Sequence, residues 1–127
     1  MLQNILVVGL GGFFGAIARY SFSFAIPKQE LSSFPFSTLL VNLIGSLLIG
    51  LIFGFIAKQQ MFNEKLFLFL TIGFCGSFTT FSTFSLENFQ LLTQGKWLLV
   101  LLYTLVSVVC GLFLIYLGFL VFKNPKL

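Results

Sequence analysis

The sequence has few residues that could carry acid-base, redox or hydrolytic chemistry. It contains no histidine, and its three acidic residues, Glu30, Glu64 and Glu87, lie far apart along the chain. These absences exclude a histidine-based metal site and a Ser-His-Asp triad. The two cysteines, Cys75 and Cys110, lie inside apolar segments, where a disulfide of the secreted type is not expected, so we interpret both as small core residues. We therefore expect a protein that is not an enzyme.

Charge is also scarce. Only 8% of the 127 residues are charged, 58% are hydrophobic and the mean hydropathy is +1.09, whereas soluble domains have about a quarter charged residues. Crossing a ~30 Å hydrocarbon core takes about 20 apolar residues per helix, and four such helices would use most of the chain. We expect an all-α integral membrane protein that forms one transmembrane domain over residues 1–127. The lysines are scattered between or after the apolar segments rather than gathered in one patch, so no nucleic-acid partner is expected.

The apolar runs predict four transmembrane helices, at residues 4–25, 36–57, 65–92 and 97–122. The loops between them are short and contain turn and polar residues, which implies that successive helices are antiparallel. The first run has no preceding lysine or arginine and no small-residue cleavage pattern. We therefore expect it to remain in the mature protein.

Positive charge is nearly balanced between the two sides of the predicted bundle. The side that carries both termini has four lysines, which are Lys58, Lys65, Lys123 and Lys126. The other side has Lys28 and Lys96, with Arg19 as a third if its side chain reaches outward from the first segment. This weak bias either reflects small numbers or allows the chain to insert both ways and pair with an inverted copy. The charges alone leave both interpretations open.

Small residues recur at helical spacing in the first two segments. Gly11 and Gly15 form one pair, and Ser46, Gly50 and Gly54 form a second series. Such faces let helix backbones approach closely in a membrane. Whether they pack within one chain or between chains stays open.

The third segment departs from an ordinary spanning helix. Gly73 and Gly76 lie near its middle, followed by a dense run of hydroxyl residues and phenylalanines over residues 77–85. A glycine costs about 1 kcal/mol relative to alanine inside a helix, and carbonyls freed at membrane depth are tolerated only against protein or a lined cavity. We predict a break near residues 74–80, with Gly76 and Thr79 as candidate carbonyl ligands of a cation. The alternative is a packing glycine pair whose neighbouring hydroxyls bond to their own helix.

Beyond the predicted break, an aromatic pair stands beside hydroxyl groups. Phe81 and Phe84 are three residues apart and share one helix face, as do Ser82 and Ser85. The positive edges of phenylalanine rings and the hydroxyl donors together suit a small, hard anion. Because the chain has 19 phenylalanines, the pair could equally face lipid or core.

Polar residues follow one another at every fourth position in the second and fourth segments. These stripes are Thr38, Asn42 and Ser46, and Tyr103, Ser107 and Gly111. A buried asparagine needs partners from a neighbouring helix, water or a permeant ion, so Asn42 either joins helices or lines a pathway. Arg19 and Glu87 lie at depths where ionisable groups face a bundle interior or water. They either flank a vestibule or lie at the membrane interface.

Three runs together resemble the Fluc/CrcB family of fluoride channels, nearly along the whole chain. They are GGFFGAIARY at residues 11–20, TLLVN at residues 38–42 followed by Gly45, and GFCGSFTTFSTFS at residues 73–85 with Glu87. The resemblance implies a dual-topology antiparallel homodimer with two fluoride pores. It also implies a central structural Na⁺ held by backbone carbonyls of Gly76 and Thr79 at the breaks in the third helices.

The resemblance also assigns expected roles to side chains. The matched fluoride-pore positions are Asn42, Phe81, Phe84, Ser82, Thr83, Ser85, Tyr103 and Ser107. The matched vestibule or support positions are Arg19, Thr38 and Glu87. The chain departs from the family pattern at Ser77, where a second glycine is common, and at Gly111, which replaces a hydroxyl residue.

On this basis we expect a fluoride-selective channel for passive fluoride export across a microbial plasma membrane, in contact with lipid and with a second copy of itself. The runner-up is a small proton-coupled multidrug exporter, which needs a membrane-embedded carboxylate. The first segment has none, and Glu87 lies toward the far end of the third. A subunit that serves assembly without transport is a third interpretation.

Overall fold

The computed structural model describes residues 1–26, 34–59 and 63–122. Within those ranges the chain is helical, without strands, and four spans are long and apolar enough to cross a membrane. They are α1 (Leu2–Ala25), α2 (Phe36–Lys58), a third span (Glu64–Thr93) and α6 (Trp97–Phe122). The prediction of an all-helical, multi-pass membrane protein is confirmed. Four charged residues used above, Lys28, Glu30, Lys123 and Lys126, lie outside the described residues.

The third span consists of four helical pieces. They are α3 (Glu64–Phe67), a π-helical stretch (Leu68–Cys75), α4 (Gly76–Phe78) and α5 (Phe81–Thr93). Thr79 and Thr80 separate α4 from α5 with extended backbones, at φ −79° and ψ 160° for Thr79 and φ −150° and ψ 119° for Thr80. This interruption lies at the end of the predicted interval 74–80. The π-helical stretch has no counterpart in the sequence-based prediction.

Local hydrogen bonds start and end these pieces. The Asn63 side chain accepts from the backbone N–H of Leu66 at 3.1 Å, and the Thr80 hydroxyl accepts from that of Thr83 at 3.2 Å. Each thus caps the first turn of a helix, α3 and α5 respectively. After α5 the chain turns at Gly95, whose φ of 71° favours glycine. The turn sends α6 back antiparallel to α5.

The glycine pair of α1 packs within the chain, against the third span. A Cβ on Gly11 would collide with the carbonyl oxygen of Phe69, and one on Gly15 would collide with that of Phe74. Opposite them, a Cβ on Gly73 would lie 2.7 Å from the carbonyl oxygen of Val8. The backbones of α1 and the π-helical stretch are therefore in direct contact.

A second close pairing joins α2 to α6. Cβ atoms on Gly50 and Gly54 would overlap the carbonyl oxygens of Ile115 and Phe119, the latter at 2.6 Å. A Cβ on Gly118 of α6 would likewise meet the α2 backbone, 2.7 Å from the carbonyl oxygen of Leu47. Glycines thus mediate two close helix pairs among the described residues, α1 with the third span and α2 with α6.

Few side chains are fully buried, while most large apolar side chains lie on the outer surface. The buried apolar core consists of Leu39, Val41, Cys75, Phe78, Leu91 and Tyr103. This agrees with Cys75 as a small core residue, whereas Cys110 is half-buried, and both thiols are free. An outer surface so rich in leucine, valine and phenylalanine matches a bilayer rather than water as the surrounding solvent.

Candidate functional site

The interruption of the third span is bound by one side chain of α2. Asn42 Oδ1 accepts the backbone N–H of Thr80 at 2.8 Å, and Asn42 Nδ2 donates to the carbonyl of Thr80 at 3.1 Å. The amide therefore pairs with both polar groups of one residue, as a neighbouring β-strand would. Because Thr80 is buried, these bonds satisfy backbone groups that lipid could not.

The same face of α2 makes room for the other extended residue. Gly45, three residues after Asn42, lies so close to the Thr79 methyl group that a Cβ would collide with it. The Thr79 hydroxyl and backbone N–H both donate to the carbonyl of Cys75, at 2.8 Å and 3.0 Å. Thr79 is therefore fixed on one side by α2 and on the other by the end of α4.

Two carbonyls at the interruption lose their usual helical partners. In a continuous helix the carbonyls of Gly76 and Thr79 would accept from the N–H groups of Thr80 and Thr83. Here those N–H groups donate to Asn42 and to the Thr80 hydroxyl instead. Gly76 is exposed on the outer surface of the chain. Carbonyl oxygens freed in this way at an unwound helix are ligands of the kind that a hard monovalent cation takes.

A cleft of about 310 Å³, here called the aromatic cleft, lies between α2, the interruption, α5 and α6. Its walls are formed by Asn42, Ser46, Ile49, Thr79, Thr80, Phe81, Phe84, Ser107 and Val108. The Ser46 hydroxyl donates to its own helix at the Asn42 carbonyl, 2.8 Å away. The Ser107 oxygen is buried and has no hydrogen-bond partner among the described residues. It can therefore donate to a ligand in the cleft.

The two predicted pore phenylalanines meet in this cleft but have different surroundings. Their ring centroids are 6.0 Å apart, with 34° between the ring planes. Phe81 is 80% exposed, whereas the ring of Phe84 packs on Tyr103 with centroids 4.8 Å apart. Phe84 therefore contributes to helix packing as well as to the cleft wall, whereas most of the Phe81 ring is exposed.

A second cleft, of about 260 Å³ and here called the arginine cleft, lies between α1, α2 and α5. Its walls are formed by Ala16, Arg19, Tyr20, Ser23, Thr38, Val41, Thr80 and Thr83. Arg19 places a positively charged side chain on its wall. Thr80 lines both clefts, so the residue that Asn42 holds separates a cationic recess from an aromatic one.

Glu87 joins three spans. Its Oε1 accepts from the Thr38 hydroxyl of α2 at 2.7 Å, and its Oε2 accepts from the Tyr103 hydroxyl of α6 at 2.8 Å. The Tyr103 side chain is fully buried, and Phe34 packs edge-on against its ring. Glu87 thus lies inside the bundle with both carboxylate oxygens hydrogen-bonded, which is how a membrane-embedded acid is stabilised. It does not line either cleft.

The predicted hydroxyl track on α5 is divided by the structure. Thr83 lines the arginine cleft and accepts from the Thr80 hydroxyl at 3.0 Å. The Ser82 hydroxyl lies 3.4 Å from that of Thr80, but Ser82 and Ser85 are exposed and contribute to neither cleft. The predicted pore residue Tyr103 of α6 likewise lines neither cleft within the single chain.

Sequence reasoning overlooked Thr80, although this residue is central to the site. Its role is signalled by position, because a threonine just before a helical stretch is a common cap. The partner of that threonine, Asn42, was identified as a residue in need of hydrogen bonds but not as one that binds backbone. The pairing joins residues 38 positions apart, so no local pattern reveals it.

Comparisons with known proteins give consistent matches over most of the chain. The model of the family described as CrcB-like protein, Camphor Resistance (CrcB), matches residues 6–119. A protein of Campylobacter jejuni named fluoride-specific ion channel FluC is 45% identical over 123 residues, which cover 97% of this chain and 100% of that protein. A protein of the same name from Azobacteroides pseudotrichonymphae is 40% identical over 120 residues, 94% of this chain and 96% of the relative. A third, from Ruminiclostridium cellulolyticum, is 50% identical over 93 residues, 73% of this chain and 72% of the relative.

Proposed function

The chain belongs to the CrcB-like protein family, and we propose on this basis that it is a fluoride-specific ion channel through which fluoride leaves the cell passively. The observation that carries this conclusion is the identity of 40–50% with proteins named fluoride-specific ion channels. Passive export lowers cytoplasmic fluoride toxicity and needs no covalent step. The protein is a channel and not an enzyme.

The two clefts suit the passage of a small anion. Arg19 supplies positive charge in one cleft, and the hydroxyl of Thr83 lies on the same wall. In the aromatic cleft, Ser107 offers an unpaired hydroxyl beside Phe81 and Phe84. Hydroxyl donors and the positive edges of aromatic rings can replace part of the water that a fluoride ion loses. Side chains of Asn42, Tyr103, Ser82 and Ser85 complete the proposed pathway, the last two in contact with a second copy.

The proposed assembly is an antiparallel homodimer in the plasma membrane, with a structural Na⁺ at its centre. Three observations support it: positive charge nearly balanced in sequence between the two sides, Gly76 exposed at the interruption, and two carbonyls without their helical N–H partners. A twofold axis beside Gly76 would bring the Gly76 and Thr79 carbonyls of two copies together. These four carbonyl oxygens would coordinate one Na⁺, whose positive charge would offset their partial negative charges.

The two alternative functions have less support. A proton-coupled drug exporter needs a carboxylate that is free to exchange protons for cargo, and both oxygens of Glu87 accept hydrogen bonds from buried hydroxyls. A subunit that only serves assembly has no need for an unpaired hydroxyl inside a cleft. Neither class of protein appears among the named relatives described above.

Ion efflux from proteoliposomes tests the function directly. The purified chain is reconstituted with internal fluoride, and release is followed with a fluoride electrode. Parallel vesicles contain chloride or a lipophilic cation. We expect fluoride release well above that of protein-free vesicles, with little chloride and no cation transport. Cation transport coupled to a proton gradient would instead identify an exporter, and no transport at all would favour the assembly subunit.

A further inference from the structure

The backbone at Thr79 and Thr80 has two competing sets of hydrogen bonds. In the observed set, Asn42 holds the N–H of Thr80, and the Thr80 hydroxyl holds the N–H of Thr83. In a continuous helix the same two N–H groups would bond to the carbonyls of Gly76 and Thr79. Formation of one set of hydrogen bonds therefore excludes the other. The carbonyls that are freed in the observed set, those of Gly76 and Thr79, are the proposed cation ligands.

The observed set depends on Asn42 because Thr80 has few other partners in its buried position. Without the amide, the Thr80 N–H would lie unpaired at membrane depth, which costs about 1–3 kcal/mol, whereas its carbonyl, at the N-cap of α5, still accepts the first intrahelical bond. Rewinding of α4 into α5 would remove part of that cost by returning the Thr80 N–H to Gly76. The side chain of Asn42 thus decides which of the two backbone conformations is the more stable.

We infer that Asn42 is a positioning residue for the cation: by binding the peptide groups of Thr80 it keeps the Gly76 carbonyl free to coordinate Na⁺. The inference rests on the proposed Na⁺ site and gives Asn42 a task distinct from contact with fluoride. Gly45 and the Thr79–Cys75 bonds support the same conformation from the other side of the interruption.

Three substitutions separate this role from a general loss of polarity. Asn42→Leu has similar volume but neither accepts nor donates hydrogen bonds. Asn42→Ser stays polar but is too short to bridge both groups of Thr80. Asn42→Asp retains an oxygen that accepts the Thr80 N–H, and in its protonated form it also donates. The matched control is Ser37→Ala in the same helix, because Ser37 has a buried hydroxyl without a partner among the described residues and lines neither cleft.

The test measures binding of radioactive Na⁺ to the purified full-length chain, together with hydrogen exchange at the Thr80 amide. We expect Asn42→Leu and Asn42→Ser to bind Na⁺ about tenfold or more weakly, since a loss of 1.4 kcal/mol lowers an affinity tenfold. Asn42→Asp and Ser37→Ala should bind within about threefold of the parent, less than 1 kcal/mol. The Thr80 amide should change its exchange rate only in the first two variants.

The outcomes separate the inference from the channel function. If Asn42→Leu and Asn42→Ser bind Na⁺ as the parent does, or if the parent binds none, the positioning role is wrong. If the parent and variants bind Na⁺ as expected but vesicles release no fluoride, the inference stands and the channel function is contradicted. Should Asn42→Leu fail to give a monodisperse protein, the Na⁺ affinities of Asn42→Ser and Asn42→Asp still test the positioning role.

Discussion

The hydroxyl of Tyr103 donates a hydrogen bond to Glu87 Oε2 across 2.8 Å, and this bond joins α6 to α5 inside the membrane span. The second oxygen of the same carboxylate accepts from Thr38 of α2. Because α5 starts at the interruption, Glu87 fixes the half of the third span that carries Phe81 and Phe84. Glu87 therefore stabilises the position of the two cleft phenylalanines although it does not itself line a cleft.

Replacing Tyr103 with phenylalanine should destabilise the protein. The Tyr103→Phe variant leaves Glu87 Oε2 without its donor in a half-buried position, which costs about 1–3 kcal/mol. The free energy of unfolding in mixed detergent micelles measures the loss. Tyr116→Phe is the matched control, since Tyr116 lies on the same helix but is 58% exposed, and it should change stability by about 0.5 kcal/mol or less. Equal losses in both variants would contradict the bond's structural role.

Substitution of the two cleft phenylalanines should separate transport from folding. Phe81→Ile should reduce fluoride efflux while leaving the unfolding free energy of the chain within about 0.5 kcal/mol, because the Phe81 ring is largely exposed. Phe84→Ile should reduce both, because that ring packs on Tyr103. Phe89→Ile provides a control on α5, since Phe89 is also exposed and lies outside both clefts. Parental efflux from both cleft variants would show that the two rings do not line the fluoride pathway.

The sequence predicted the span positions well because each depends on a continuous apolar run. The largest shift is at the start of α1, which begins at Leu2 rather than residue 4. The interruption was also predictable, because Gly73, Gly76 and the hydroxyl residues that follow disfavour a regular helix. Spacing on one helix likewise predicted that Phe81 and Phe84 would meet.

Contacts between distant segments could not be read from the sequence. The amide of Asn42 suited a pore or an interhelical bond equally well, and only the fold shows that it binds Thr80. The hydrogen-bond partners of Glu87 could not be predicted either, because Thr38 and Tyr103 lie on other spans. The π-helical stretch lies where Gly11 and Gly15 of α1 contact the third span, and no local pattern in the sequence indicates it.

The glycines of α1 should differ sharply in their tolerance of alanine. Gly15→Ala would place a Cβ against the Phe74 carbonyl oxygen, so we expect a loss of about 1–3 kcal/mol in unfolding free energy. Gly9→Ala is the control on the same helix, because a Cβ there would meet no described atom within 4 Å apart from its chain neighbours and the backbone of its own helix. This control should raise stability by about 0.5–1 kcal/mol through lower chain entropy of the unfolded state. Equal effects at both positions would contradict the close contact of α1 with the third span.

Gly76→Ala tests whether a second copy lies against the interruption. Within one chain the new Cβ would find the Thr71 carbonyl oxygen at 3.6 Å as its nearest contact, an ordinary van der Waals distance. Gly76 also has helical angles of φ −62° and ψ −34°, which alanine adopts readily. The fold of the single chain should therefore be unchanged or slightly more stable. Since no described residue crowds this position, we attribute any large effect of the methyl group to a neighbouring copy.

In an antiparallel dimer that shares a cation at Gly76, the methyl group would stand between the two backbones. We expect Gly76→Ala to weaken dimerisation by about tenfold or more, equivalent to 1.4 kcal/mol. Energy transfer between labelled copies, measured over a series of protein-to-lipid ratios, gives the dissociation constant, with Gly9→Ala as the control for an added methyl group. Unchanged dimerisation with unchanged Na⁺ binding would place the contact between copies elsewhere, because a methyl group cannot be accommodated where backbones meet around one ion.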